Sequence, residues 1–265
     1  MIVDYHMHLR APDESLDHTV EGIERFVEAA AARGLDEIGF AEHIYYFAQT
    51  RSLWTLPSQL KHCNHDIERY VEAVMEAKRR GMAVKLGIEV DYVPGREEET
   101  AALLAPYPWD YVLGSIHYIG DAGIDGEPTL IDEVGVEEAW RRYYETLAAA
   151  AASSGLFDSL AHPDLVRMYG PEIPWDWEAV ADSLDGVCLE VSSAGLHKPH
   201  AKLYPNPQLL REARARGTPI TLASDAHVPG NVGRDLDRAV DHAREAGYET
   251  LTVFDLRQRR QEPLG

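Results

Sequence analysis

Cysteine is scarce in this chain: Cys63 and Cys188 are the two among 265 residues. That is too few for a disulfide framework, and neither sits in a Cys-x-x-Cys spacing, so both read as ordinary thiols of a reducing compartment. Basic residues are also in short supply, with 25 lysines and arginines against 45 aspartates and glutamates and a formal net charge of -20. Such a surface repels nucleic acid and anionic membrane. An anionic substrate must therefore find a local positive site, and bound metal ions are the obvious source. No apolar run approaches the length of a membrane span, and the apolar stretch that begins at Ile2 reads as a strand rather than a signal peptide. A soluble cytoplasmic protein is expected. Repeats, low-complexity tracts and linkers are missing too, so residues 1–265 read as one domain, long enough to bury a substantial core.

What is present is an alternation of strand-like and helix-like runs. Residues 2–8 read as a first strand, in which His6 and His8 share a face because they lie two residues apart. A loop from Leu9 to Asp17 follows, then a helix with Val20, Ile23, Phe26, Val27 and Ala30 on one side, and a second strand ending at His43. The stretch 44–65 is long, aromatic and irregular, as expected of a wall or lid. Next come a helix over 66–80, a strand over 83–92, a helix over 97–104, a strand over 111–119, a polar Gly-rich loop over 120–133 and a helix over 136–153. A short strand over 157–161, a loop and helix over 165–183, a strand over 187–191 and an irregular segment over 192–200 follow. The chain closes with a helix over 206–216, a strand over 219–223, a helix over 235–245 and a short strand over 250–254. Seven or eight β-then-α units in a row predict a parallel sheet covered by helices, curled at this length into a closed or nearly closed barrel.

The strand-like runs share an ending. His6, His8, His43, Glu89, His117, His162, Asp225 and His227 all fall at their carboxyl ends, where a barrel builds its active site. A lone strand-end histidine is more often a hydrogen-bonded core residue. Six histidines and two acids at successive strand ends point instead to metal. One catalytic ion needs three protein ligands, so this set implies two or three divalent ions. Imidazole and carboxylate without thiolate suit Zn, Mn or Fe, and Glu89 is the expected bridge between ions. His18 either returns to the site as a further ligand or begins the first helix, with Asp17 as its N-cap. His62, His65 and His242 lack partner spacing and read as surface residues.

The segments Asp4-Tyr5-His6-Met7-His8, Glu42-His43, Gly87-Ile88-Glu89, Gly114-Ser115-Ile116-His117, Ala161-His162-Pro163-Asp164 and Ser224-Asp225-Ala226-His227 together resemble the polymerase-and-histidinol-phosphatase (PHP) family. The resemblance spans nearly the whole chain with its motifs in order. It leans toward the monofunctional histidinol-phosphate phosphatases, through Ser193-Ala194-Gly195-Leu196-His197-Lys198-Pro199 followed by Tyr204-Pro205. It implies a distorted barrel of seven β/α units, a trinuclear metal centre and hydrolysis of a small phosphorylated substrate, in the last step but one of histidine synthesis. It also implies a first-loop ligand, His18 or Asp17. A phosphate-binding Arg of the family falls at His197, so Lys198 or His200 is the alternative contact; a second such Arg would be Arg167. The expected chemistry is in-line attack on phosphorus by a metal-held hydroxide, with Asp225 or His227 passing a proton to the leaving oxygen. Another small phosphate ester or a nucleotide is the alternative substrate. An amidohydrolase is the rival enzyme, and a metal-free scaffold the non-enzymatic one. Eight competent donors oppose the scaffold, and Glu89, with Lys85 four residues earlier, opposes the lysine bridge of an amidohydrolase.

Overall fold

The computed structural model describes residues 1–125, 129–153 and 155–265. Its first half runs β1 (Val3–Asp4), α1 (Val20–Ala32), β2 (Glu37–His43), α2 (Pro57–His62), α3 (Ile67–Arg79), β3 (Val84–Asp91) and α4 (Glu97–Leu104). Then come β4 (Tyr111–Ser115), a small ribbon of β5 (Tyr118–Ile119) and β6 (Ala122–Gly123), α5 (Leu130–Val134), α6 (Val136–Ala152) and β7 (Ser159–Leu160). The last part holds α7 (Trp177–Asp182), β8 (Cys188–Ser192), α8 (Pro207–Ala215), β9 (Ile220–Ala223), α9 (Leu236–Glu245), and a hairpin of β10 (Thr250–Asp255) and β11 (Gln258–Pro263).

Seven strands pair in parallel in the order β1-β2-β3-β4-β7-β8-β9. The sheet curls until its two ends meet. Tyr5 N–H donates to the Leu222 carbonyl at 3.1 Å, Ala226 N–H to His6 at 3.2 Å, and His8 N–H to Ala226 at 2.8 Å. This is the nearly closed α/β barrel expected from the alternation. Helices cover the outside, so the strands are buried on both faces and run nearly continuously apolar. The helices carry the matching periodicity: α3 is capped by Asp66, which accepts from Glu68 N–H at 3.1 Å, and buries Ile67, Tyr70, Val71, Val74 and Ala77. Among the described residues no helix is long and apolar enough to cross a membrane.

Inside the barrel Tyr111 lies across β2 and β3, its hydroxyl donating to the Tyr5 carbonyl at 2.7 Å and the Phe40 carbonyl at 3.2 Å. Gly39 and Gly87 make that possible, because a methyl group on either would collide with the Tyr111 ring. Phe254 of β10 packs beneath, 5.8 Å from the Tyr5 ring and 5.6 Å from Tyr111. Gly87→Ala should therefore overpack this floor and destabilise the fold by roughly 1–3 kcal/mol. A thermal melt of the variant indistinguishable from that of the parent would show that the Tyr111 ring can yield.

Some boundaries differ from expectation. The first strand ends at Asp4, so His6 and His8 stand just beyond it, held by backbone bonds to β9 and its following loop rather than by strand pairing alone. The fourth strand ends at Ser115, and His117 follows it. The last short strand lies outside the barrel sheet and pairs antiparallel with β11, whose Gln-Arg-Arg-Gln-Glu-Pro run lacks any apolar alternation to signal it. Of the expected loop over 120–133, residues 126–128 lie outside the described residues, while Thr129 caps α5, accepting from Asp132 N–H. The stretch 44–65 is built of tight helical turns and α2.

Candidate metal centre

All eight donors reach one mouth of the barrel. His6 and His8 follow β1, His43 ends β2, Glu89 lies in β3, His117 and His162 follow β4 and β7, and Asp225 and His227 follow β9. They form four overlapping triads in which donor atoms lie within 4.8 Å of one another: His6, Glu89 and His162; His43, Glu89 and His117; His6, His8 and Asp225; His8, His43 and His227. Glu89 stands at the centre. Its Oε1 is 3.1 Å from His162 Nε2 and 3.4 Å from both His6 Nε2 and His117 Nε2, while Oε2 is 2.5 Å from His43 Nδ1. Asp225 Oδ1 is 3.4 Å from His8 Nε2 and 3.9 Å from His6 Nε2.

Several of these facing atoms are buried and close to one another yet make no aligned hydrogen bond: His6 Nε2, His8 Nε2, His43 Nδ1 and Glu89 Oε2. A buried polar atom left unpaired is costly, and several converging on one spot fit a cation between them. The electrostatics agree. Burial would raise the Glu89 carboxyl, yet His43, His117, His6 and His162 hold it well below its ordinary value. Asp225 is held low in the same way, against burial, by His6, His8 and His227. Burial would lower His6, but Glu190, Glu89 and Asp225 keep it well above its ordinary value. His117, also opposed by burial, is lifted to about 10 by Glu89 and Asp91. His227 is pushed down to about 3 by burial and then by the His8 charge, with His43 and Arg10 adding and Asp225 opposing. The carboxylates are thus ionised and ready to accept a cation, and an ion would displace the protons of the raised imidazoles.

A second ring of acids, which sequence reasoning missed, orients these donors. Glu190 of β8 accepts from His6 Nδ1 at 3.0 Å and from His162 backbone N–H at 2.7 Å. Asp91 holds His117 Nδ1 at 2.8 Å. Glu42 accepts from Leu9 N–H at 2.5 Å and faces His8 Nδ1 at 3.7 Å. Asp4 takes Ser224 N–H and Gly233 N–H, each at 2.9 Å, and so fastens the turn that carries Asp225. Such partners fix ring orientation and basicity in metal sites. The available signal was an acid inside a wholly apolar strand, plainest in Cys188-Leu189-Glu190-Val191. Backbone strain collects here too: His162, Asp164 and Asp225 have φ of 27°, 82° and 54°, conformations that persist only where surrounding contacts impose them.

The remaining candidates divide. His18 enters none of the triads; its Nε2 lies 3.3 Å from Glu42 Oε1, outside the central group. Asp17 is engaged by Thr19 and Arg25. The charges of Arg167, Lys202 and Lys198 act on His200, which packs 5.1 Å from the Tyr204 ring; that ring is 6.4 Å from the ring of His162. Burial, Arg167 and Lys202 push His200 down to about 4, and neither of its nitrogens has a partner. Arg167 is already occupied: Nε donates to Glu172 at 2.9 Å, and Nη1 is 3.4 Å from Asp164. His197 stands apart, bound to Asp235 at 2.8 Å. His62 is exposed as expected, and His65 half-buried. His242 is not a surface residue: it lies on the inward side of α9, and its Nε2 meets the Pro205 carbonyl at 2.9 Å.

Comparison with known proteins bears on this arrangement. The PHP domain model matches residues 4–194. The chain belongs to the PHP family. Among PHP relatives, a protein named probable histidinol-phosphatase from Deinococcus radiodurans is 35% identical over 269 residues, covering 97% of each chain. The histidinol-phosphatase of Lactococcus lactis is 25% identical over 263 residues, covering 94% of this chain and 92% of that one. A crystal structure of histidinol phosphate phosphatase from Lactococcus lactis, complexed with zinc, L-histidinol and phosphate, superposes with a TM-score of 0.78, 22% identity and 98% coverage of both chains. At that identity the likeness is one of fold, and it extends the PHP barrel to the whole of this chain.

Proposed function

We infer that this PHP protein is a metal-dependent phosphomonoesterase whose substrate is histidinol phosphate. The observation that carries the reading is the complete eight-donor mouth, shared about Glu89, in a chain 35% identical from end to end to a relative named probable histidinol-phosphatase. Two or three divalent ions fit the four triads, and the mixed nitrogen and oxygen donors suit Zn, Mn or Fe. Zinc comes first, since a solved protein of the same fold is complexed with it. His6, His8, His43, Glu89, His117, His162, Asp225 and His227 would hold them. Bound there, such ions polarise the phosphoryl oxygens and make water acidic enough to serve as a nucleophile at neutral pH. The chain's own groups do the rest. Lys198 and His200 would bind the substrate at the edge of the mouth near His162, and Arg167 would join them by exchanging its contact with Glu172 for the phosphate. Asp225 and His227 would relay to the leaving oxygen the proton that the attacking water gives up. The whole chain acts as one domain, a reading supported by its single continuous core, and works in the cytoplasm, consistent with the free thiols Cys63 and Cys188.

An amidohydrolase is disfavoured by Lys85, the one lysine in β3. Its Nζ is bound by Asp255 at 2.9 Å, in the hairpin that packs against the barrel floor, and it cannot bridge ions at the mouth. A substrate panel tests the reading. Histidinol phosphate should turn over fastest, other small monoesters more slowly and diesters worst, because a diester lacks the second negative oxygen. Diesters or nucleic acid turning over faster than every monoester would overturn the monoesterase. Activity on monoesters with none on histidinol phosphate would keep the chemistry and replace the substrate.

A further inference from the structure

The mouth has two basic edges, and they differ in how their charge is balanced. On the His162 side, Arg167 and Lys202 both stand against Glu172, and Arg167 also against Asp164. On the opposite side Arg10 follows His8 by two residues, and its backbone N–H is tied to the His8 carbonyl at 3.0 Å. Its guanidinium lies over the Tyr46 ring, 5.7 Å from the centroid, and donates to the Tyr46 hydroxyl. That ring meets His43 edge-on at 5.3 Å. Arg10 Nε is buried without a hydrogen-bond partner, and among the described residues no carboxylate lies within ion-pair distance of the guanidinium. Arg10 is also one of the charges that face His227, the most exposed of the eight donors. In a chain with 45 acids to 25 bases, an arginine held against an aromatic ring beside a metal-type cluster and left without a counter-ion is set up for an anion from outside.

We propose that Arg10 is a specificity-determining residue that binds the phosphoryl oxygens of the substrate at the His8, His43 and His227 side of the mouth. The ring of Tyr46 pre-orients the planar fork, so little freedom is lost when it takes two oxygens in a bidentate contact. A dianionic phosphate offers both oxygens with charge; a diester offers one charge fewer. The proposal rests on the phosphomonoesterase reading only in taking phosphate as the anion.

The test is calorimetric binding of inorganic phosphate to the metal-loaded protein, with metal content measured on every variant. Arg10→Gln should weaken phosphate roughly ten- to hundredfold at unchanged metal content, since a charge-assisted contact is lost. Arg10→Lys should fall between, keeping charge without the fork. The preference for monoesters over diesters should shrink in step. Phosphate affinity of Arg10→Gln within about twofold of the parent would overturn the proposal. A parent protein that binds phosphate yet hydrolyses no monoester would sink the phosphatase reading alone; weaker binding by Arg10→Gln would still support the contact, and equal binding would still overturn it.

Discussion

Glu89→Ala is expected to lower kcat/KM by at least roughly a thousandfold, equivalent to about 4 kcal/mol of transition-state stabilisation, and to release metal at the same time. The reason is its place in two triads at once: both of its oxygens face imidazoles, His6, His117 and His162 on one side and His43 on the other. Removing it would leave no carboxylate in either of those triads, so a cation held there would lose its anionic ligand. Glu89→Gln separates charge from shape, because it keeps the volume in a fully buried position and loses only the negative charge. It should fail nearly as badly. Metal analysis of parent and variants, with the parent's rate before and after chelation, decides the matter. Chelation should abolish the parent's rate, and re-addition of Zn or Mn should restore it. A parent that carries less than one equivalent of metal and is indifferent to chelator would remove the core of the reading. A variant that loses rate with its full metal content would give Glu89 a different role.

Glu190→Ala is the second large effect, and it appears in stability as well as in metal binding. Glu190 is fully buried and accepts from His6 Nδ1 and from the His162 backbone, two donors that belong to the same triad. Its loss leaves both without a partner, and breaking a buried pair of this kind costs about 3–5 kcal/mol. With Nδ1 no longer held, the His6 ring is free to turn Nε2 away from Glu89, and affinity for metal should drop roughly 10- to 100-fold. Glu190→Gln retains one acceptor and should lie between parent and Ala in both respects. Thermal melts of the metal-free forms report the first effect, and competition with a chromogenic chelator the second. Unchanged melts together with parental metal affinity would show that His6 is positioned by its ring contacts alone.

The sequence by itself determined the elements and the kind of chemistry, because both are written locally. Periodicities of two and 3.6 residues set the alternation, and α4 falls on residues 97–104 as read. Donor types at strand ends marked the mouth, and all eight reach it, since a parallel barrel brings every strand's carboxyl end to one rim. The central place of Glu89 was legible for the same reason, as the acid in the middle of the set.

Tertiary structure alone decided what depends on closure. His6 and Glu190 are 184 residues apart, and their contact exists only because the last strands curl back beside the first. No local pattern carries that information, so the acids that orient the histidines read merely as acids in strands. The same holds for Arg10, an ordinary loop arginine until Tyr46 comes beneath it, and for His242, whose inward side of α9 is set by packing against the segment around Pro205. It also holds for β11, a polar run that becomes a strand because β10 offers it an unpaired edge. Side-chain type is a property of the residue, but which atoms face each other across a barrel is a property of the whole chain's path.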